Sequence, residues 1–205
     1  IVLNELDALA NIDFATRTEK DEHRTLEIVR VGTCGGMQED IPLGTFLVSE
    51  KSIGWDGVLA FYEGRDEIAD LGFEDALVDF IHYPAKAARP YVVAANSELV
   101  NRIAGDDMMR GCTIAANGFY GPQGRVLRCD LAVKDINERI TDFRYEGQRI
   151  TNYEMEGSAI AGLSLLMGHK AMTVCCVIAQ RKVEAANTDY KPRIKQLVQT
   201  VLERI

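Results

Sequence analysis

Long apolar runs are missing from this 205-residue chain: no stretch approaches the roughly 20 apolar residues that span a bilayer. No basic-then-apolar signal segment opens it. Metal-binding spacing is missing as well. The five cysteines (Cys34, Cys112, Cys129, Cys175, Cys176) are odd in number and form no CxxC pair, and the three histidines are scattered. That pattern argues against a zinc centre. Three of the cysteines sit in apolar or Gly-rich surroundings, which suits buried thiols in a reducing cytoplasm better than a disulfide framework. Clustered positive charge is lacking, with 23 Lys and Arg against 31 Asp and Glu and a net charge of −8. A general nucleic-acid surface needs the opposite balance, although a few inward-pointing arginines can still hold an anionic substrate. Repeats, low-complexity runs and Pro/Ser-rich linkers are absent, so one domain over residues 1–205 is the simplest organisation. The opening Ile1-Val2-Leu3-Asn4-Glu5-Leu6 has no Met and reads like a helix interior, which gives the expectation of an N-terminally incomplete chain.

What is present is an ordinary globular composition, 47% hydrophobic and 26% charged. Ile1 to about Ala15 reads as a helix, followed by a charged connection from Arg17 to Arg24. Leu26 to Val31 is a β-branched run that ends at Gly32, the pattern of a buried strand entering a turn. Further strands are expected at Thr45 to Val48, Tyr91 to Ala95, Cys112 to Ala116 and the unbroken apolar run Met172 to Ile178. Met155, Ala159, Leu163, Leu166 and Met167 share a helical face with Gly168 as a stop signal. Ile194, Leu197, Val198, Val201, Leu202 and Ile205 form a second amphipathic stripe. Such alternation indicates an α/β fold with a central sheet.

Three segments carry groups suited to ligand chemistry. In Arg30-Val31-Gly32-Thr33-Cys34-Gly35-Gly36, a Gly-rich turn after a strand would let backbone N–H groups approach an anion. Thr33 adds a hydroxyl and Arg30 a charge-assisted fork; a tight turn with a structural arginine is the plainer alternative. In Asn117-Gly118-Phe119-Tyr120-Gly121-Pro122-Gln123-Gly124-Arg125, aromatics stand beside an amide that both donates and accepts and a guanidinium that only donates. This combination suits a flat ring with a polar edge such as uracil, though a surface turn with an incidental Phe-Tyr pair has the same look. In Thr151-Asn152-Tyr153-Glu154-Met155-Glu156-Gly157-Ser158, two carboxylates precede an apolar helix, where acidic residues also favour the N-terminus electrostatically. On a helix, positions i and i+2 point roughly 200° apart, so the two glutamates are expected on different faces. A carboxylate here is well matched to the paired hydroxyls of a ribose.

Taken in order, Arg-x-Gly-Thr-x-Gly, Phe-Tyr-x-x-Gln-x-Arg and Asn-Tyr-Glu-Met-Glu resemble the nucleoside phosphorylase family, and within it the uridine phosphorylases, over Ile1 to Ile205. The resemblance implies a single α/β domain, a three-layer sandwich with a central mixed β-sheet flanked by helices. It also implies homodimers or homohexamers with sites shared between subunits. Its implied activity is a pentosyltransferase reaction, phosphate-dependent cleavage of uridine, with inorganic phosphate as co-substrate and no cofactor. By position it implies that Arg30, Gly32 and Thr33 bind phosphate, that Thr33, Met155 and Glu156 contact the ribose, and that Phe119, Gln123, Arg125 and Arg181 hold the base, Arg181 through water. Arg125, Gln123 and Arg30 would carry the catalysis. Cys34 stands where relatives often have a hydroxyl residue and receives no role.

The same resemblance bears on the base. Purine-specific relatives carry an Asp that protonates the leaving group, and the matching position here is Ala179. A Gly-Asp-x-x-Arg phosphate loop, a second phosphate arginine lent by a neighbouring subunit and a His for the 5′-hydroxyl have no counterparts in this sequence. His23, His82 and His169 are read as structural or surface residues. Alternatives to a uridine enzyme are a relative acting on purine nucleosides, a nucleosidase using water, and a non-catalytic nucleoside-binding remnant.

Overall fold

The computed structural model describes residues 1–181 and 185–205. Its first half contains α1 (Val2–Asn11), β1 (Ile12–Asp13), β2 (Thr18–Glu19), β3 (Glu27–Gly36), β4 (Phe46–Gly54), α2 (Arg65–Ile68), α3 (Leu71–Ile81) and β5 (Tyr91–Ala94). The second contains α4 (Ser97–Ile103), β6 (Met108–Ala115), α5 (Ile136–Asp142), β7 (Arg144–Tyr145), β8 (Gln148–Glu154), α6 (Gly157–Leu166), β9 (Lys170–Gln180), β10 (Ala185–Ala186) and α7 (Lys191–Arg204).

The main sheet is mixed, in the order β10-β9-β3-β8-β6-β4-β5. It does not lie flat. The middle of β9 pairs in parallel with β3 on one side and, through Val174, Cys175 and Cys176, antiparallel with Phe46 to Val48 of β4 on the other. Five strands (β9, β3, β8, β6 and β4) therefore close on themselves, with β8 meeting β3 only at Gly35 and Gly36; among the described residues Glu27 to Cys34 is paired on the β9 side alone, an edge of the kind that accepts a further strand. The apolar run in β9 follows from this position: Val174, Cys175 and Cys176 are all buried, with neighbours on every side. One core cluster lies under α3 and α5, around Phe73, Leu77, Ile114, Phe143 and Tyr153. Another lies under α4 and α7, around Leu99, Val174, Leu197 and Val201. The stripe read in α7 thus meets the sheet through Leu197 and Val201, while Leu202 and Ile205 remain exposed.

Three expectations need correction. The first helix stops at Asn11, and the segment read as its end and as a charged connection instead forms the small hairpin β1–β2. Asp13 accepts from the backbone of Ala15 in the turn, a local bond that competes with helix continuation. Next, β3 does not end at Gly32. It runs through Gly36 with a bulge at Cys34/Gly35, because β9 supplies a parallel partner along the whole segment. Finally, Met155 does not belong to the helix that follows it; α6 starts at Gly157. Of the two roles read for the histidines, structural or surface, His169 has the structural one and is buried. Its Nδ1 accepts from Leu26 N at 3.2 Å and its Nε2 lies 3.0 Å from Asp7, which pins α1 to the turn before β9. Four cysteines are buried and Cys129 is exposed, all with free thiols.

Candidate active site

β3 brings Arg30 and Thr33 to a cavity of about 230 Å³. The same cavity is lined by Phe119, Gln123 and Arg125 from the segment after β6, and by Tyr153, Glu154, Met155 and Glu156 from the β8–α6 junction. Cys34, Gly35, Ile178 and Ala179 complete the lining. Seven residues predicted from sequence therefore meet in one place. Gly32 and Arg181 do not line it, and each acts on a residue that does.

Gly32 makes room. A Cβ at this position would stand 2.6 Å from Arg30 Nη1, so the missing side chain lets the guanidinium fold over the strand. The expected turn is not formed: this stretch is strand, paired with β9 throughout and with β8 only at Gly35 and Gly36. The Arg30 guanidinium and the Thr33 hydroxyl are the side-chain donors it presents to an anion.

Arg30 is held from three directions. Nη1 lies 3.1 Å from Glu154 Oε2 and 3.3 Å from Cys175 Sγ, and Nη2 pairs with Glu156. The two glutamates thus converge on one arginine. They are not on a helix together: Glu154 ends β8 and Glu156 is the N-cap of α6, so the helical 200° separation does not apply. Glu154, whose side chain is 0% exposed, also accepts from Glu156 N and Gly157 N at 2.9 Å. It caps the helix and anchors the arginine with the same carboxylate. Burial raises the Glu154 pKa above the ordinary carboxylate value, more than Arg30 and the two backbone N–H groups lower it. For Arg30, burial acts to lower the pKa, but Cys175, Glu154 and Glu156 together outweigh it and raise the value.

Around the Phe119 to Arg125 segment the pattern changes. A short 3₁₀ turn, Gly121–Gln123 with Pro122, ends at Gly124 in the left-handed conformation, and Arg125 N returns to Tyr120 O at 2.9 Å. This fold-back puts Arg125 Nη1 2.6 Å from Gln123 Oε1 and 2.5 Å from Phe119 O, with the guanidinium stacked 3.8 Å from the Phe119 ring centroid. Arg181 reaches the same amide from the end of β9, donating to Gln123 Oε1 at 2.5 Å and Gln123 O at 2.8 Å. Sequence reading placed Arg181 near the base through water; its direct bond is to Gln123. Burial lowers the Arg181 pKa to about 10, with Arg125 adding repulsion, and burial lowers that of Arg125 too. Both stay charged at neutral pH. Gln123 Oε1 already takes two guanidinium donors, so its Nε2 and the remaining Arg125 N–H groups are what this corner offers a ligand.

Comparison with known proteins places the chain in a family. The family model described as the phosphorylase superfamily matches residues 10–204. The chain belongs to that superfamily. Among curated relatives it is 26% identical over 155 residues to a uridine phosphorylase of Thermococcus kodakarensis, and 28% over 161 residues to uridine phosphorylase A of Schistosoma mansoni. Each match covers 75% of this chain, but only 48% and 47% of the relative. The chain thus spans about half the length of the curated relatives it matches. A solved nucleoside phosphorylase of Trypanosoma brucei, described as showing uridine phosphorylase activity, superimposes with a TM-score of 0.84 at 26% identity. That match covers 100% of this chain and 75% of the other. The α/β fold with a mixed sheet and flanking helices is therefore that of the superfamily.

Sequence reading gave Tyr153 no role and left Glu154 at most a supporting one, yet both line the cavity. Both stood within the quoted Asn-Tyr-Glu-Met-Glu motif, but nothing in the pattern signals that β8 ends between Glu154 and Glu156 and turns both toward Arg30. Among the described residues no group of three or more His, Cys, Asp or Glu could hold a metal ion. No helix among them is long and apolar enough to cross a membrane.

Proposed function

We propose that this protein is a uridine phosphorylase, a pentosyltransferase converting uridine and phosphate to uracil and ribose 1-phosphate. One observation carries the reading: a cluster built on Arg30 and Glu156 and a cluster built on Gln123 and Arg125 line the same cavity. In the proposed reaction the glycosidic bond breaks with its electron pair going to uracil, leaving an oxocarbenium-like sugar. A phosphate oxygen then bonds to the anomeric carbon. Arg30 and Thr33 hold that phosphate, Glu156 and Met155 contact the ribose, Phe119 packs beside the nucleoside, and Gln123 with Arg125 and Arg181 stabilises charge on the uracil oxygens. Ala179 in the cavity wall carries no titratable group, which favours a leaving group that needs no proton over a purine. No cofactor enters this scheme. The five free thiols support a reducing cytoplasmic setting, and the family resemblance supports a homodimer or homohexamer with shared sites.

The test is loss of uridine absorbance with and without phosphate. Phosphate-dependent loss with release of ribose 1-phosphate is the expected result. Equal loss without phosphate would make the protein a nucleosidase. No turnover, together with no calorimetric binding of uridine or uracil, would overturn the uridine reading.

A further inference from the structure

We infer that Asn137 is a positioning residue for the base corner, fixing the backbone from which Gln123 reaches the cavity. Asn137 lies in the first turn of α5, outside the three sequence motifs. Its Nδ2 donates to the carbonyls of Gln123 at 3.3 Å and Gly124 at 3.2 Å. Its Oδ1 accepts from the Tyr153 hydroxyl at 3.3 Å. One amide therefore ties the base turn to β8, at the residue immediately before Glu154, the carboxylate that holds Arg30.

The packing around the turn supports the assignment. Gly124 is in the left-handed region at φ +68, and a Cβ there would run into the Asn137 side chain. Gly124 is thus needed both for the turn and for close approach of the amide. The Gln123 carbonyl receives Asn137 from one element and Arg181 from another. Tyr153 is buried, with the Arg181 guanidinium 4.7 Å over its ring. Its hydroxyl proton goes to Asn137, so the ring, the arginine and the turn form one connected unit. None of these bonds involves Arg30, Thr33 or Glu156. Loss of Asn137 should loosen the base corner and leave the anion corner as it was.

This inference rests on the uracil reading of the same corner, and the test separates the two. Calorimetry with uracil and, separately, inorganic phosphate is applied to the wild-type chain, Asn137→Ala and Asn137→Asp. Amide hydrogen exchange is followed over Gly121 to Arg125 in all three. Asp keeps the size and the acceptor for Tyr153 but has no donor for the two carbonyls. Both variants should bind uracil about tenfold more weakly and phosphate within about twofold of wild type, with faster exchange at Gln123 to Arg125. If wild type binds uracil and both variants match it, Asn137 does not position the corner. Equal weakening of uracil and phosphate would also overturn the inference, showing a general structural role. If wild type binds no uracil, the uracil reading fails, and exchange alone decides: unchanged rates overturn the positioning role and faster rates sustain it.

Discussion

The cavity is served by two arginine clusters that solve the problem of buried positive charge in opposite ways. Arg30 is neutralised from within by Glu154 and Glu156 and is rooted in the sheet. Arg125 and Arg181 converge on the carbonyl oxygen of a neutral amide, and among the described residues neither has a carboxylate partner. The consequence appears in the pKa directions, upward for Arg30 and downward for Arg125 and Arg181. The first cluster sets two carboxylates against one guanidinium, so under the proposed reaction an incoming phosphate would compete with Glu156 for Arg30. The second, among the described residues, is short of negative charge, and in the proposed reaction would be completed by a ligand whose oxygens become more negative as its bond breaks. Under the proposed reaction, such an arrangement would favour the transition state over the ground state at this corner.

The sharpest way to break this comparison is to delete one arginine from each cluster. Arg30→Ala leaves the fully buried Glu154 carboxylate without its cation and should cost about 3 kcal/mol or more in urea unfolding. Arg125→Ala relieves repulsion on Arg181 and should leave stability within about 0.5 kcal/mol, while lowering kcat/KM for uridine by roughly 100-fold. Similar stability losses in the two variants would abolish the distinction.

A smaller effect concerns pH. The folded-state pKa of Glu154 is raised, so the folded protein binds its proton at a higher pH than the unfolded chain does. Its contribution to stability is then largest below the ordinary carboxylate value of 4.5 and falls as pH rises through the folded-state value. Plotted against pH, the stability of wild type minus that of Glu154→Gln should decline across that window and be level on either side. A flat difference would mean that burial does not dominate this carboxylate. The smallest expected change is Gly32→Ala, whose Cβ displaces the Arg30 guanidinium. Phosphate affinity should fall about fivefold, the value of part of one charge-assisted bond, with uracil affinity unchanged. Parallel losses for both ligands would mean that the two corners are not independent.

The contrast between legible and illegible features follows the same physics. β9 and α7 could be read because burial on all sides gives an unbroken apolar run and burial on one side gives a stripe. The lining role of Phe119, Gln123 and Arg125 could be anticipated because rigid aromatics, an amide and a guanidinium are close together in sequence. By contrast, Gly32 to Gly36 reads as a turn, yet it is strand, and Gly32 there makes room for the Arg30 guanidinium. The meeting of Glu154 with Glu156 depends on where a strand ends, to within one residue. The bond from Arg181 to Gln123 spans 58 positions. Local composition carries no information about any of these.

The closure of the sheet through β9 also constrains how the molecule can be made. β9 pairs with β3 and β4, elements more than a hundred residues earlier, so the ring of strands cannot form until residues 170–180 have left the ribosome. Until then β3 and β4 each present an unsatisfied backbone edge, the kind that pairs with other nascent chains. Contacts of such long sequence separation also slow the search for the native state. Synthesis of this protein therefore has a vulnerable interval that ends only once β9 has emerged, and a chain halted before Lys170 should collect in aggregates rather than as a smaller soluble domain.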